Sequence, residues 1–187
     1  DVPEFYASLE EPTLTHLALR LLILNPGVRL KPLRYLRLEQ IEGEVWTVPE
    51  GDMKGQKGKA PAYRVPLCRE AQRIIELARP HARNGYLFPN TRGGVIGDMT
   101  LSRMMKRRGL EATPHGFRTS LRTWLAETTD APHEVAEAML SHATDSGVVR
   151  AYRRTDFLEQ RLALTERWAD HLTGGAGQVV KLVGAAK

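Results

Sequence analysis

Pro114-His115-Gly116-Phe117-Arg118 places an imidazole and a guanidinium three residues apart at the predicted start of a helix, on one face, where both can reach a single oxyanion. An H-x-x-R spacing alone is common, so its weight depends on its setting. Residues 114–127, 132–140 and 157–172 read as helices, the first two with Pro at or near the first turn. Upstream, Thr13 is a predicted N-cap for residues 14–24, whose apolar density all round implies a buried helix stopped by Asn25-Pro26-Gly27. Residues 45–49 and 63–67 read as strands with the Gly- and Lys-rich segment 51–59 between them, a small hairpin with a long basic loop. Ala71, Ile74, Ile75 and Ala78 give 69–78 a helical period. The turn at Asn84-Gly85 precedes the short buried run Tyr86-Leu87-Phe88-Pro89, and Asp98 is the predicted cap of a basic helix ending at Gly109. The expected fold class is mainly α with a small antiparallel β-sheet (α+β).

The chain has 187 residues, 42% hydrophobic and 26% charged, which suits one folded, soluble domain rather than a disordered or fibrous protein. The expected domain is 1–173, followed by a Gly/Ala/Val-rich tail, 174–187, read as mobile or partner-binding. The longest apolar run, 17–24, is broken by Arg20, so no membrane partner is expected. The single cysteine, Cys68, excludes an intrachain disulfide and leaves a cytoplasmic location as the simpler expectation. A first residue of Asp1 rather than Met suggests a fragment of a longer protein, with any DNA-binding partner domain upstream.

The net charge of +5 permits an anionic partner without establishing one. Its distribution says more: Lys54, Lys57, Lys59 and Arg64 form one cluster, Arg103, Lys106, Arg107 and Arg108 a second, and Arg150, Arg153 and Arg154 a third. Each could meet phosphate, although any one alone is more often a solvated helix end or a flexible loop. The six histidines show no H-x₃-H pattern and one cysteine cannot build a zinc site, so no metal is expected; nor is there a Walker loop or G-x-G-x-x-G, so no nucleotide cofactor is implied.

The H-x-x-R pair belongs to an ordered set: Gly27-Val28-Arg29 after the buried helix, Met53-Lys54-Gly55 in the hairpin loop, His115 and Arg118, Leu140-Ser141-His142, and Ala151-Tyr152-Arg153-Arg154. Over 14–172 the chain resembles the tyrosine recombinase family, in particular the integrases of phages and genomic islands. Arg29, Lys54, His115, Arg118, His142 and Tyr152 match that family's catalytic positions in order and approximate spacing. Trp46-Thr47-Val48-Pro49, Val65-Pro66-Leu67, Leu87-Phe88-Pro89 and Arg167-Trp168-Ala169-Asp170 extend the likeness. One departure stands out: members often carry an acid three positions after the first arginine, and here that position is Pro32, so Arg29 needs another means of orientation.

The resemblance implies DNA cleavage and rejoining through a bond between Tyr152 and a 3′-phosphate. With a pKa of about 10, only about one phenol in a thousand is ionised at neutral pH, so Tyr152 needs cationic neighbours and a base. Guanidinium donates paired hydrogen bonds to phosphate oxygens, the role implied for Arg29 and Arg118 with His142 as a further donor. Lys54 is the implied general acid for the leaving 5′-oxygen, and His115 the acid–base partner of Tyr152 or of the incoming hydroxyl. Implied partners are double-stranded DNA, contacted also by Lys57, Lys59, Arg64, Arg103, Lys106, Arg107 and Arg153, and further protomers in a tetrameric synapse. Relaxation of supercoils by a type IB topoisomerase-like enzyme, or a DNA-binding module without catalysis, remain open alternatives on residues alone. Other conspicuous side chains read as structural: Phe117, Leu121 and Trp124 as core, His133 as surface or capping, and Cys68 as unreactive. Leu158, Arg161, Leu162, Thr165, Trp168, Ala169 and Leu172 share a face of the last helix that suits either core packing or docking on a neighbour.

Overall fold

The computed structural model describes residues 1–53, 62–141 and 155–175. Among these, α-helices surround a small sheet: α1 (Val2–Ala7), α2 (Leu14–Leu24), α3 (Leu30–Arg34), β1 (Ile41–Glu42), β2 (Val45–Val48), β3 (Tyr63–Pro66), α4 (Arg69–Ala78), α5 (Thr100–Arg107), α6 (Gly116–Thr128), α7 (His133–Met139) and α8 (Leu158–Thr173). The mainly α, minor antiparallel sheet expectation holds.

Helix α2 is the centre of the packing. The Thr13 side chain accepts from the His16 amide at 3.3 Å, the N-cap the sequence predicts. Leu17, Ala18, Leu19, Leu21, Leu22, Ile23 and Leu24 are all buried, because α3, α4, α5 and α8 pack around the helix. Such a helix takes its stability from tertiary burial, at about 25 cal/mol per Å² of apolar surface, rather than from propensity. Its end is set by Pro26-Gly27, as read from the sequence.

The sheet runs β1-β2-β3, antiparallel throughout, with Trp46 opposite Val65 and Val48 opposite Tyr63. Trp46 and Val48 face the core while Thr47 is exposed, the period-two alternation of a half-buried strand. Strand β1 extends the predicted hairpin: Gly43, with φ +55°, supplies the left-handed position of a two-residue turn, and Glu42 pairs with Val45. In α4 the buried Ala71, Ile74, Ile75 and Ala78 form one stripe, as expected. Asn84 and Gly85 adopt φ of +52° and +81°, confirming that turn, and Leu87 and Phe88 beyond it are buried.

Three expectations are corrected. The residue ahead of α5 is Met99, in helical conformation with no side-chain cap, so Asp98 does not cap it; the chain enters α5 through a turn closed by the Thr100 amide on the Gly97 carbonyl. The buried face of α8 is Arg161, Leu164, Thr165, Trp168, Ala169 and Leu172, with Leu164 in the place expected of Leu162, and it packs within the chain against β3, α1 and α7. Trp124 is half-buried at the edge of the core rather than within it, its ring tilted against those of Trp168 and His171 with centroids 5.2 and 5.9 Å away. Cys68 is buried, and burial pushes its thiol up to about 12.

A polar cluster joins α1, α2 and α4. Glu70 accepts from Tyr6 Oη at 3.0 Å and Arg20 Nη2 at 2.7 Å and pairs with Arg73 at 2.7 Å. Burial would raise the Glu70 carboxyl, but the hydrogen bonds from Arg73 and Tyr6 and the neighbouring cations outweigh it and hold the group below its usual value. A depressed folded-state pKa gives stability that is present above the ordinary carboxylate range and is lost as pH falls through the depressed value. Thermal melting followed from about pH 5 to about pH 3 is expected to show a steep loss in the native chain and a shallower one in Glu70→Gln, whose side chain cannot titrate.

Candidate phosphate-binding site

Arg118 leaves the first turn of α6 and is 7% exposed. Its Nη1 donates to the carbonyls of Pro26 at 3.1 Å and Gly27 at 2.7 Å, and its Nη2 to the carbonyl of Leu140. A guanidinium has five N–H donors, so this use of three leaves two with no acceptor among the described residues. The same junction holds more contacts. Ser141 Oγ donates to the Gly27 carbonyl at 3.0 Å, and Tyr63 Oη lies 2.9 Å from the Ala138 carbonyl and 3.1 Å from that of Met139. The helix α7 thus ends on two side-chain donors, which satisfy carbonyls a helix terminus leaves free. Burial raises the Tyr63 phenol, which keeps it a donor.

Arg29 stands at the N-terminus of α3, on the turn whose carbonyls Arg118 holds. Burial, and after it the charge of Arg29, lower the Arg118 guanidinium from its usual value, although an arginine remains protonated at any physiological pH. Two guanidinium groups near enough for one to feel the charge of the other suit a bound anion. Pro32, in the position of the family's acid, is buried in α3, and among the described residues no carboxylate pairs with Arg29.

Arg29, His115 and Arg118 line one hollow of about 190 Å³ together with Leu22, Ser102 and Thr113. Among the described residues, no acidic side chain lines it. His115 is exposed and sits just ahead of α6 rather than inside it, since the helix begins at Gly116 instead of residue 114; Pro114, buried, closes the preceding turn. The two residues that the sequence pairs, His115 and Arg118, thus line the same hollow from either side of the helix boundary.

A second hollow of about 470 Å³ adjoins the first through Ser102 and Thr113 and is lined also by Arg103, Lys106 and Glu111. Arg107 is exposed on the same helix. Arg108, although exposed, is engaged within the chain: it donates to the Ser8 carbonyl at 3.0 Å and to His16 Nε2 at 3.1 Å. Arg64 pairs with Asp156 at 3.3 Å. Lys54, Lys57, Lys59, His142, Tyr152 and Arg153 lie outside the described residues. Ser102, Thr113 and Tyr63 escape sequence reasoning, because hydroxyls carry no spacing signature; their relevance comes only from what the fold sets beside them. Among the described residues, no group of three or more His, Cys, Asp and Glu is placed to hold a metal ion, and no helix is long and apolar enough to cross a membrane.

Helices gathered round a three-stranded antiparallel sheet, with paired arginines at one hollow, define the class. The fold is that of lambda integrase: the structure of a lambda integrase(75-356) dimer bound to a COC' core site matches 78% of this chain and 58% of that one, at a TM-score of 0.57 and 18% identity. The model of the phage integrase family matches residues 1–159. Two relatives from Escherichia coli (strain K12) are prophage integrase IntA, 33% identical over 130 residues, and prophage integrase IntZ, 32% identical over 184 residues. These alignments take in 67% and 91% of this chain but only 30% and 43% of the relatives, so the chain spans less than half their length. The chain belongs to the phage integrase family.

Gly27 gives a structural test of the junction. A Cβ there would stand 1.8 Å from the Met139 carbonyl oxygen, an overlap that backbone must relieve. Gly27→Ala is expected to destabilise the chain by about 1–3 kcal/mol or more in urea unfolding, whereas Gly43→Asn, at an open left-handed position, is expected to cost well under half as much.

Proposed function

We propose that residues 1–173 are the catalytic domain of a site-specific tyrosine recombinase, which integrates or excises a phage or genomic island by cutting and rejoining DNA through Tyr152. The observation that carries this reading is the hollow shared by Arg29, His115 and Arg118, lined by no acidic side chain among the described residues.

In the proposed step the Tyr152 oxygen attacks the scissile phosphorus, a P–O(Tyr) bond forms, and the bond to the 5′-oxygen breaks. Negative charge grows on the non-bridging oxygens, where Arg29 and the two remaining N–H groups of Arg118 receive it, with His142 as a further donor. The phenol proton passes to His115 and Lys54 supplies the proton that the leaving 5′-oxygen takes up. The phosphotyrosyl ester conserves the energy of the broken diester, so a 5′-hydroxyl from another duplex reverses the reaction and completes exchange. Charge stabilisation comes from guanidinium and lysine, and the reaction needs no metal ion.

Double-stranded DNA and other protomers are the proposed partners, in a tetrameric synapse in the cytoplasm; the lambda integrase neighbour was itself solved as a dimer on a core site. Residues 174–187 serve this assembly as a partner-binding arm. Lys57, Lys59, Arg103, Lys106, Arg107 and Arg153 are proposed to contact the DNA backbone. Phosphate contacts position a protein without reading sequence, so the isolated domain is expected to bind weakly and with strong salt dependence.

Incubation with nicked DNA in a chelator, followed by a denaturing gel and peptide mapping, tests the reading. A covalent adduct at Tyr152 is expected, absent in Tyr152→Phe while DNA binding persists; an undiminished adduct in that variant sends the search to another nucleophile. Arg29→Met is expected to slow adduct formation by about 10²–10³-fold. Replacing Arg103 and Lys106 with Ala is expected to flatten the plot of log affinity against log salt by about 0.9 for each phosphate that is no longer neutralised.

A further inference from the structure

The first two residues of β3 touch both flanks of the segment that carries His142 and Tyr152. On the near flank, Tyr63 Oη is 2.9 and 3.1 Å from the carbonyls of Ala138 and Met139, at the end of α7 and three residues before His142. On the far flank is Asp156, four residues after Tyr152. Its carboxylate pairs with Arg64 at 3.3 Å. Its carbonyl accepts from Arg161 Nη1 at 3.3 Å, while Arg161 Nη2 donates to the Arg64 carbonyl at 2.7 Å. Arg161 is 2% exposed, and its guanidinium carbon stands 4.6 Å above the Tyr63 ring, so one buried cation stacks on Tyr63 and joins Arg64 to Asp156. The peptide Tyr63-Arg64 is therefore a common mount for the residues that enter the 142–154 segment and those that leave it. In sequence, β3 comes next after the segment containing Lys54, with residue 62 between them.

We propose that Tyr63 and Arg64 are positioning residues for strand cleavage, fixing both ends of the segment that bears the nucleophile to the strand that follows the general-acid lysine. This rests on the recombinase reading above and assigns Arg64 a task other than the DNA contact its charge suggests. Neither residue touches the reacting phosphate; each acts by limiting where its neighbours can sit. Near-attack geometry is demanding: a displacement of about 1 Å at a reacting group can cost on the order of 10²-fold in rate. A salt bridge as exposed as Arg64–Asp156 contributes little to stability, so its effect should appear in rate and not in melting.

The test compares single-turnover adduct formation on nicked DNA at saturating concentration, DNA affinity with its salt dependence, and thermal melting, in the full chain and its variants. Tyr63→Phe, which keeps the ring under Arg161, is expected to slow adduct formation about tenfold or more with affinity within about twofold of the parent. Arg64→Asp is expected to slow it as well, and the exchanged pair Arg64→Asp with Asp156→Arg to recover most of that loss. A Tyr63→Phe rate within about twofold of the parent overturns the role of Tyr63. For Arg64, failure of the exchanged pair to recover, or a flattened salt dependence in Arg64→Ala, overturns it in favour of a DNA contact. Should Tyr63→Phe not fold, the positioning role of Tyr63 falls in favour of a structural one, and the exchanged pair decides for Arg64. The parent chain separates the two levels of inference: no parent adduct sinks the recombinase reading, whereas a parent adduct with unaffected variants sinks only the positioning role.

Discussion

The hydrogen bonds from a buried guanidinium to three backbone carbonyls organise this molecule. Arg118 holds Pro26, Gly27 and Leu140 at once, and so joins the exit of α2, the start of α6 and the end of α7. Charge-assisted bonds of this kind are worth more than neutral ones, and removing the donor would leave three carbonyls without it at a junction too tight for a Cβ on Gly27. Arg29 follows the same turn by two residues, which is how the second cation comes to face the same hollow as the first.

In the proposed reaction the same side chain has a second task, and the two constrain each other. The three N–H groups spent on carbonyls fix the plane of the guanidinium before any ligand arrives, so its remaining donors need little reorganisation when charge develops. Arg29 has no such brace among the described residues, and Pro32 supplies none in place of the family's acid. Arg29 stands at the head of α3, two residues beyond the turn that Arg118 grips, and lines the hollow with Leu22 and Leu30.

Much of this was legible in the residues. The apolar run of α2, its Thr13 cap, its Pro26-Gly27 stop, the stripe of α4 and the alternation in β2 are local patterns whose cause and effect lie within a few positions. The H-x-x-R pair was legible for the same reason. Sequence reasoning failed where the deciding partner is remote. Arg108 reads as one more cation of a basic cluster and Arg161 as one member of a helix face. Nothing near either announces that its guanidinium is spent within the chain, on the Ser8 carbonyl 100 positions away and on the Arg64 carbonyl 97 positions away. Asp98 looks like a cap because aspartate commonly is one, yet the turn closed on Gly97 starts α5 a residue later. Strand β1, two residues long, has no periodicity to detect.

The lone thiol has a practical side. Cys68 lies wholly within the core with its pKa pushed up to about 12, so at neutral pH only about one molecule in 10⁵ carries the nucleophilic thiolate, and that one is shielded from reagents. A maleimide dye or spin label should therefore pass over it. A cysteine introduced elsewhere on the surface would be the sole reactive handle, with no native thiol to remove first.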